Sequence, residues 1–192
     1  MTGFGIPLFV DLDGTLLAGD SLWLSLALLL KTDPLGAFRA LFWLPRGKAR
    51  FKRQVALRVV PDPESLPYDQ DVVTFLRQEK SLGREIVLAT AADARIAERV
   101  AAHLGVFAAI LASDGEVNLA GVRKLEAIVR FAAGREFDYI GDAPVDLCLF
   151  RASRLAMLVR PKESLLTAVS AVAQVGRVFS PRGFPRLVER AR

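Results

Sequence analysis

Leu8-Phe9-Val10-Asp11-Leu12-Asp13-Gly14-Thr15-Leu16 decides the reading of this chain. The apolar run Leu8-Phe9-Val10 reads as a buried strand, and the two carboxylates stand just past its end. Side chains alternate along a strand, so positions i and i+2 share one side and Asp11 and Asp13 can face a single ligand. Gly14 then lets the chain turn. Paired acids at the end of a strand suit a nucleophile, an acid/base and a metal site. The plainer alternative is a loop with a turn-forming Asp-Gly.

From residue 68 onward, strand-like and helix-like segments alternate. Ile86 to Ala89, Phe107 to Ala112, Phe137 to Ile140 and Ala156 to Val159 read as strands. Residues 69–82, Asp93 to Leu104, Lys124 to Ala133 and Ser164 to Val175 read as helices. Such alternation predicts an α/β fold, a mostly parallel sheet with helices on both faces, and such sheets bind ligands at the carboxyl ends of their strands. That rule gathers residues far apart in the chain. Asp11 follows the first strand, Thr90 the second, and Gly141-Asp142 the fourth.

Asp142 and Asp146, four residues apart after an apolar strand, form a second acidic element. With Asp11 and Asp13 they make a hard, oxygen-rich donor set suited to Mg²⁺. Lys124 can supply a positive charge. Thr90 offers a hydroxyl and an N–H at a strand-to-helix turn, a place where anions bind well.

In their order these elements resemble the haloacid dehalogenase superfamily of aspartate-nucleophile phosphotransferases. The D-x-D-G-T-L motif is Asp11 to Leu16, and the apolar strand ending in Ser/Thr is Ile86 to Thr90. The lysine motif is Lys124, and the G-D-x-x-x-D motif is Gly141 to Asp146. The resemblance covers about residues 6–160. It implies a Rossmann-like parallel sheet and a phosphoaspartyl intermediate on Asp11, with Asp13 protonating the leaving oxygen and then activating water. It implies Mg²⁺ held by Asp11, the backbone carbonyl of Asp13 and Asp142, with Asp146 supporting the metal's water shell. Thr90 and Lys124 would hold phosphate oxygens. An acid at position 13 favours phosphate-ester over carbon–halogen cleavage, because an alkoxide leaving group needs a proton.

A narrower likeness is to the phosphatase-like domains found ahead of membrane polyprenyl-transferase domains. It rests on Leu66-Pro67-Tyr68, Leu88-Ala89-Thr90, Leu111 to Gly115 with Asn118-Leu119, and the basic Arg46-Gly47-Lys48. Where that subgroup often has Gly-Asn, this chain has Gly141-Asp142, which is similar to ordinary active members. The expected activity is Mg²⁺-dependent phosphomonoester hydrolysis, on a small metabolite or a lipid-linked phosphate. The alternatives are a phosphotransferase or mutase, and a non-catalytic module partnering a membrane prenyltransferase.

The domain reading places the catalytic core at 1–19 and 62–175, a helical cap at 20–61 and a basic tail at 176–192. Charge follows these divisions. The net charge is +5 over 192 residues, yet residues 31–60 carry eight Lys or Arg against Asp33. Without an aromatic-basic binding module, this does not point to nucleic acid. Both tryptophans, Trp23 and Trp43, also fall in the insert. Leu22 to Leu30 is well short of the ~20 residues that span a bilayer. Two readings of residues 20–60 stay open: a cap whose apolar faces pack on themselves, or a peripheral membrane contact. The lone Cys148 and the absence of a basic, apolar leader imply a reducing, cytoplasmic setting. His103 reads as a helix-end residue, Asp93 as a helix cap, Asp114-Gly115 as a turn and Cys148 as core.

Overall fold

Leu8, Phe9 and Val10 alternate between two apolar surroundings, and the fold is built outward from that alternation. The computed structural model describes residues 5–180. Strand β1 (Leu8–Val10) is central, paired in parallel with β2 (Ile86–Asp93) on one side and β4 (Asp138–Gly141) on the other. Beyond them lie β3 (Ala109–Ser113), β5 (Ala156–Val159) and β6 (Val175–Phe179), giving the order β3-β2-β1-β4-β5-β6 with every pair parallel.

Both faces are covered. Leu8, Val10, Ile86, Leu88 and Ile140 pack on one side against helices α4 (Gln70–Ser81) and α5 (Ala94–Leu104). Phe9, Val87, Tyr139 and Leu158 pack on the other, against α6 (Val122–Ala132), α7 (Leu147–Ala152) and α8 (Glu163–Ser170). A sheet buried on both faces requires continuous apolar strands, which explains why its strands read as unbroken hydrophobic runs.

The chain leaves β1 toward β2 and β3, then returns to lay β4 on the opposite side. The order therefore reverses between β1 and β4. A crevice opens at such a switch point beyond the strands' carboxyl ends, and ligands bind there. Asp11 follows β1 and Asp142 follows β4, so the two acidic motifs flank this crevice.

Residues between β1 and α4 hold a separate helical layer. Helix α1 (Ser21–Thr32) is capped by Asp20, whose carboxylate accepts from Leu22 and Trp23 N–H. Asp33 then caps α2 (Pro34–Leu41). Helix α3 (Lys48–Arg58) follows a short 3₁₀ turn. The layer has its own small core of Leu29, Ala40, Phe51 and Val55.

Two elements depart from the sequence reading. The final helix stops at Ser170, and Val175–Phe179 forms edge strand β6 instead of opening a basic tail at 176. Gly176 and Arg177 break the strand's apolar pattern, yet the Arg177 guanidinium lies 4.7 Å from the ring centroids of both Phe75 and Phe179, so its charge is carried over aromatic faces. The rest of the proposed tail, 181–192, lies outside the described residues. Helix α7 was not distinguished from its surroundings in the sequence. Asp93 caps α5 through Arg95 N–H, and Asp114 closes its turn by accepting from Glu116 and Val117 N–H. His103 stands in the last turn of α5 and stacks on Tyr68. Cys148 is a free thiol, partly buried and packed against the core cluster on the α6–α8 side.

Candidate active site

Asp11 N–H donates to the Ile140 carbonyl at 3.0 Å, continuing the β1–β4 ladder one residue beyond the strand. The Asp11 side chain is thereby fixed at the crevice. Its Oδ1 accepts from Leu12 N–H at 2.8 Å, and its Oδ2 lies 3.0 Å from Lys124 Nζ. Lys124 sits at the start of α6 but is only 2% exposed. It reaches inward to Asp11, to Asp146 Oδ1 at 3.4 Å and to the Tyr139 hydroxyl at 3.1 Å. Tyr139 in turn donates to Asp146 Oδ2 at 2.9 Å. A buried lysine is tolerated because these groups surround it. Burial alone would push its ammonium down, but Asp11 and Asp146 more than compensate and hold it above the ordinary lysine value.

Asp13 faces the cap. Its Oδ1 accepts from Ser21 N–H at 2.7 Å, at the entrance to α1. Burial is the main force on its carboxyl, opposed by the Ser21 hydrogen bonds and assisted by Asp20 and Asp11, and the result is a pKa pushed up to about 6. Asp142 accepts from Thr15 Oγ1 at 2.9 Å, and burial raises it as well. Asp146 is also pushed up to about 6, first by burial and then by Asp11, against the lowering effect of Lys124 and Tyr139.

Two glycines are required here. Gly14 has φ +75°, and a Cβ on it would lie 2.1 Å from Asp142 Oδ2. A Cβ on Gly141 would meet Tyr139 Cε1 at 2.7 Å and Asp146 Oδ2 at 3.2 Å. These close approaches give the glycines of both acidic motifs a physical cause. Gly14→Ala is expected to displace Asp142, to destabilise the fold by about 1–3 kcal/mol through backbone strain, and to lower turnover. Urea denaturation and a kinetic assay on the same preparation check it.

The predicted residues are not all brought into one cluster. Asp11, Lys124 and Asp146 are joined directly, with Tyr139 among them. Asp142 is tied to the same loop through Thr15, while Asp13 turns toward Ser21. Among the described residues, no three or more His, Cys, Asp or Glu side chains are grouped so as to hold a metal. Thr90 is fully buried within β2 rather than at a strand-to-helix turn, because the strand continues to Asp93, and its hydroxyl oxygen accepts from Ala92 N–H at 3.0 Å.

Three further residues were not singled out by the sequence. Tyr139 looked like any strand residue. Lys52, one base among many on α3, donates to the Ala91 carbonyl at 2.7 Å and borders a cavity of ≈ 10 Å³ together with Asp13, Ser21 and Ala92. Burial lowers its pKa despite the raising influence of Asp13, Asp20 and Asp11. Its neighbour Arg53 bridges to Asp93 at 3.2 Å, so α3 is pinned to the core beside the site. Arg160 has φ +44°, unusual for a side chain with a Cβ. It donates to the Gly14 carbonyl at 2.9 Å and to Asp69 Oδ2 at 2.8 Å, fixing the loop that carries the first motif. No local pattern marks either cation; only the fold brings them here.

Comparison with known proteins agrees with the fold. The chain is 36% identical over 155 residues to the uncharacterized protein y4nM of Sinorhizobium fredii (strain NBRC 101917 / NGR234), a match covering 80% of this chain and 30% of that protein. The chain thus spans less than a third of that relative's length. A crystal structure of a protein of unknown function from Bordetella pertussis Tohama I shares the fold with a TM-score of 0.70 at 18% identity, over 91% of this chain and 97% of that one. A phospho-aspartyl intermediate analogue of phosphoserine phosphatase shares it with a TM-score of 0.58 at 15% identity, over 92% and 94%. The family model for haloacid dehalogenase-like hydrolases matches residues 42–151, a stretch that contains Thr90, Lys124, Asp142 and Asp146 and begins after the Asp11–Asp13 pair. More than half of the chain is matched, and the chain belongs to the haloacid dehalogenase-like hydrolase family.

Proposed function

We propose that the protein hydrolyses phosphomonoesters through a phosphoryl group carried transiently on Asp11. The observation that carries this reading is the buried Asp11–Lys124 pair at the switch point, with Asp13 two residues on. The phospho-aspartyl analogue among the fold relatives supports it.

Asp11 is held for attack by Leu12 N–H on one oxygen and Lys124 on the other. Asp13, with a pKa near 6, exchanges a proton readily around neutrality. It gives that proton to the departing alkoxide, then takes one from the water that attacks the phosphoaspartate. The Thr90 oxygen already accepts from Ala92 N–H, which leaves its own proton to donate to a phosphoryl oxygen. Lys124 offsets charge on Asp11, on Asp146 and on the incoming phosphate.

Asp11 and Asp142, with the backbone carbonyl of Asp13, are the groups that would hold a divalent cation. Mg²⁺ is ordinarily bound through one or two carboxylates, waters and substrate phosphate, so this all-oxygen set fits it without a cage of side chains. When bound, Mg²⁺ would neutralise phosphoryl oxygens amid crowded carboxylates.

The pH profile follows from Asp13. Its acid form delivers the proton, so kcat/KM for an alkyl phosphate is expected to fall as pH rises through about 6. An aryl phosphate, whose leaving group needs little protonation, should show a shallower decline. Parallel profiles on the two esters check this; identical slopes contradict the role of Asp13.

The substrate class in this proposal is a small phosphorylated metabolite or a lipid-linked phosphate, and the likeness to domains ahead of membrane prenyltransferases supports the second. A panel of phosphorylated metabolites beside polyprenyl phosphates, assayed with Mg²⁺ and with chelator, tests it. Metal-dependent phosphate release is the expected result. Absence of release across the panel would contradict hydrolysis, and transfer of the phosphoryl group to an added alcohol would mark a transferase.

A further inference from the structure

The helical layer has two apolar surfaces, and among the described residues only one is packed. The first turns inward: Ser21, Ser25 and Leu29 of α1 are buried, and Leu29 joins Ala40, Phe51 and Val55. The second turns outward. Trp23, Ala27 and Leu30 recur at helical spacing on the exposed side of α1, and Leu35, Phe38 and Phe42 do so along α2 and its end. Leu35 is 70% exposed and Trp23 69%. Between the two helices runs an open groove of about 360 Å³, lined by Leu26, Leu30, Pro34, Ala37, Phe38 and Leu41. Isolated exposed apolar residues are ordinary, but a continuous aromatic and aliphatic face is a binding surface.

Charge identifies its partner. Lys31, Arg39, Arg46, Lys48 and Arg50 are all exposed on or beside this hairpin. The Arg46 guanidinium lies 5.1 Å from the Trp43 ring centroid, pairing a cation with an aromatic at the rim. Within 31–60 the sole acid is Asp33, and its carboxylate is engaged with Gly36 N–H at 2.8 Å. An aromatic-aliphatic face with a cationic rim is complementary to the headgroup boundary of an anionic bilayer, where apolar side chains enter the acyl edge and Lys or Arg meets lipid phosphate. No helix among the described residues is long and apolar enough to cross a membrane, so the contact is interfacial.

We infer that the outward face of α1 and α2 docks on an anionic lipid surface. Docking leaves the core free, because α3 holds the layer to it through Lys52 and Arg53 on the other side. Ser21, at the first turn of α1, touches Asp13 directly, so the docked helix leads from the lipid surface to the site.

Flotation with phosphatidylcholine vesicles, with and without phosphatidylglycerol, tests the inference whether or not the protein proves to be a phosphatase. Binding is expected only with the anionic lipid and should weaken as salt is added. Phe38→Ser should weaken it on the order of tenfold, as for a large side chain kept out of the apolar phase. Arg39→Gln should weaken it about fivefold. Both variants should retain the wild-type melting profile and, if the protein is active, its turnover of a soluble aryl phosphate. Leu35→Ser provides a second apolar variant should Phe38→Ser misfold. No binding to anionic vesicles, or equal binding to neutral ones, would overturn the inference. So would a concentration-dependent dimer that Phe38→Ser dissolves, which would give the face to a second copy of the chain.

Discussion

Asp11→Asn is expected to lower turnover on the order of 10⁴-fold or more while the protein stays folded. The amide keeps the size of the side chain and its place beyond β1, but it is a far poorer nucleophile. In the proposed roles Lys124 and Thr90 would still meet the phosphate, so binding should suffer less than chemistry. KM is therefore expected to move little while kcat collapses. The loss of one charge also relaxes crowding among Asp11, Asp142 and Asp146, which offsets the lost partner of Lys124. A melting curve close to wild type beside undetectable turnover is the expected pair of results. Equal turnover in the two proteins would remove Asp11 from the chemistry.

Lys124→Met should be nearly as damaging to activity and much more so to the fold. Methionine matches the lysine stem but leaves Asp11 and Asp146 without the cation that lies 3.0 and 3.4 Å from them. Removing one partner of a buried ion pair costs about 3–5 kcal/mol, and here two acids lose the same partner. The pH dependence has a definite sign. Asp146 has a native pKa raised to about 6, above its unfolded value near 4, so its ionisation opposes folding as pH climbs across that interval. Without Lys124 the native value moves higher still and the interval widens. The stability gap between variant and wild type should be small at pH 5 and large at pH 7.5. Lys124 itself stays charged throughout, since its own pKa is raised. Urea denaturation at the two pH values checks this. A gap independent of pH would mean that the acids are not what Lys124 supports.

Much of the architecture was legible because it depends on patterns that act locally. A strand buried on both faces must be apolar throughout, and Leu8 to Val10, Ile86 to Ala89 and Ala156 to Val159 are. The two acidic motifs stood out because each places two acids close together past an apolar strand, whereas the lone Asp114 past β3 closes a turn. Lys124 was harder. At a helix start it is indistinguishable from a solvated lysine, and only its place in a motif series selected it. Tyr139, Lys52 and Arg160 were not legible at all. Each acts through a partner distant in sequence, and nothing around them departs from an ordinary strand, a basic helix or a loop. Strand β6 was missed because Gly176 and Arg177 spoil its pattern, while Phe75 across the fold supplies the packing that restores it. The outward face of α1 and α2 was visible as hydrophobicity, but its direction was not. The same apolar residues could have closed on one another, and only the arrangement of the helices shows that half of them do not.

Turnover is predicted to pass through a covalent phosphoryl group on Asp11. Rapid acid quench during turnover, followed by borohydride reduction and peptide mapping by mass spectrometry, tests it most directly, because reduction of an aspartyl phosphate leaves homoserine in its place. Homoserine is predicted at position 11 with substrate present, and at no position in Asp11→Asn. Continued turnover with an unmodified Asp11, or homoserine at Asp13, Asp142 or Asp146 instead, would contradict the account.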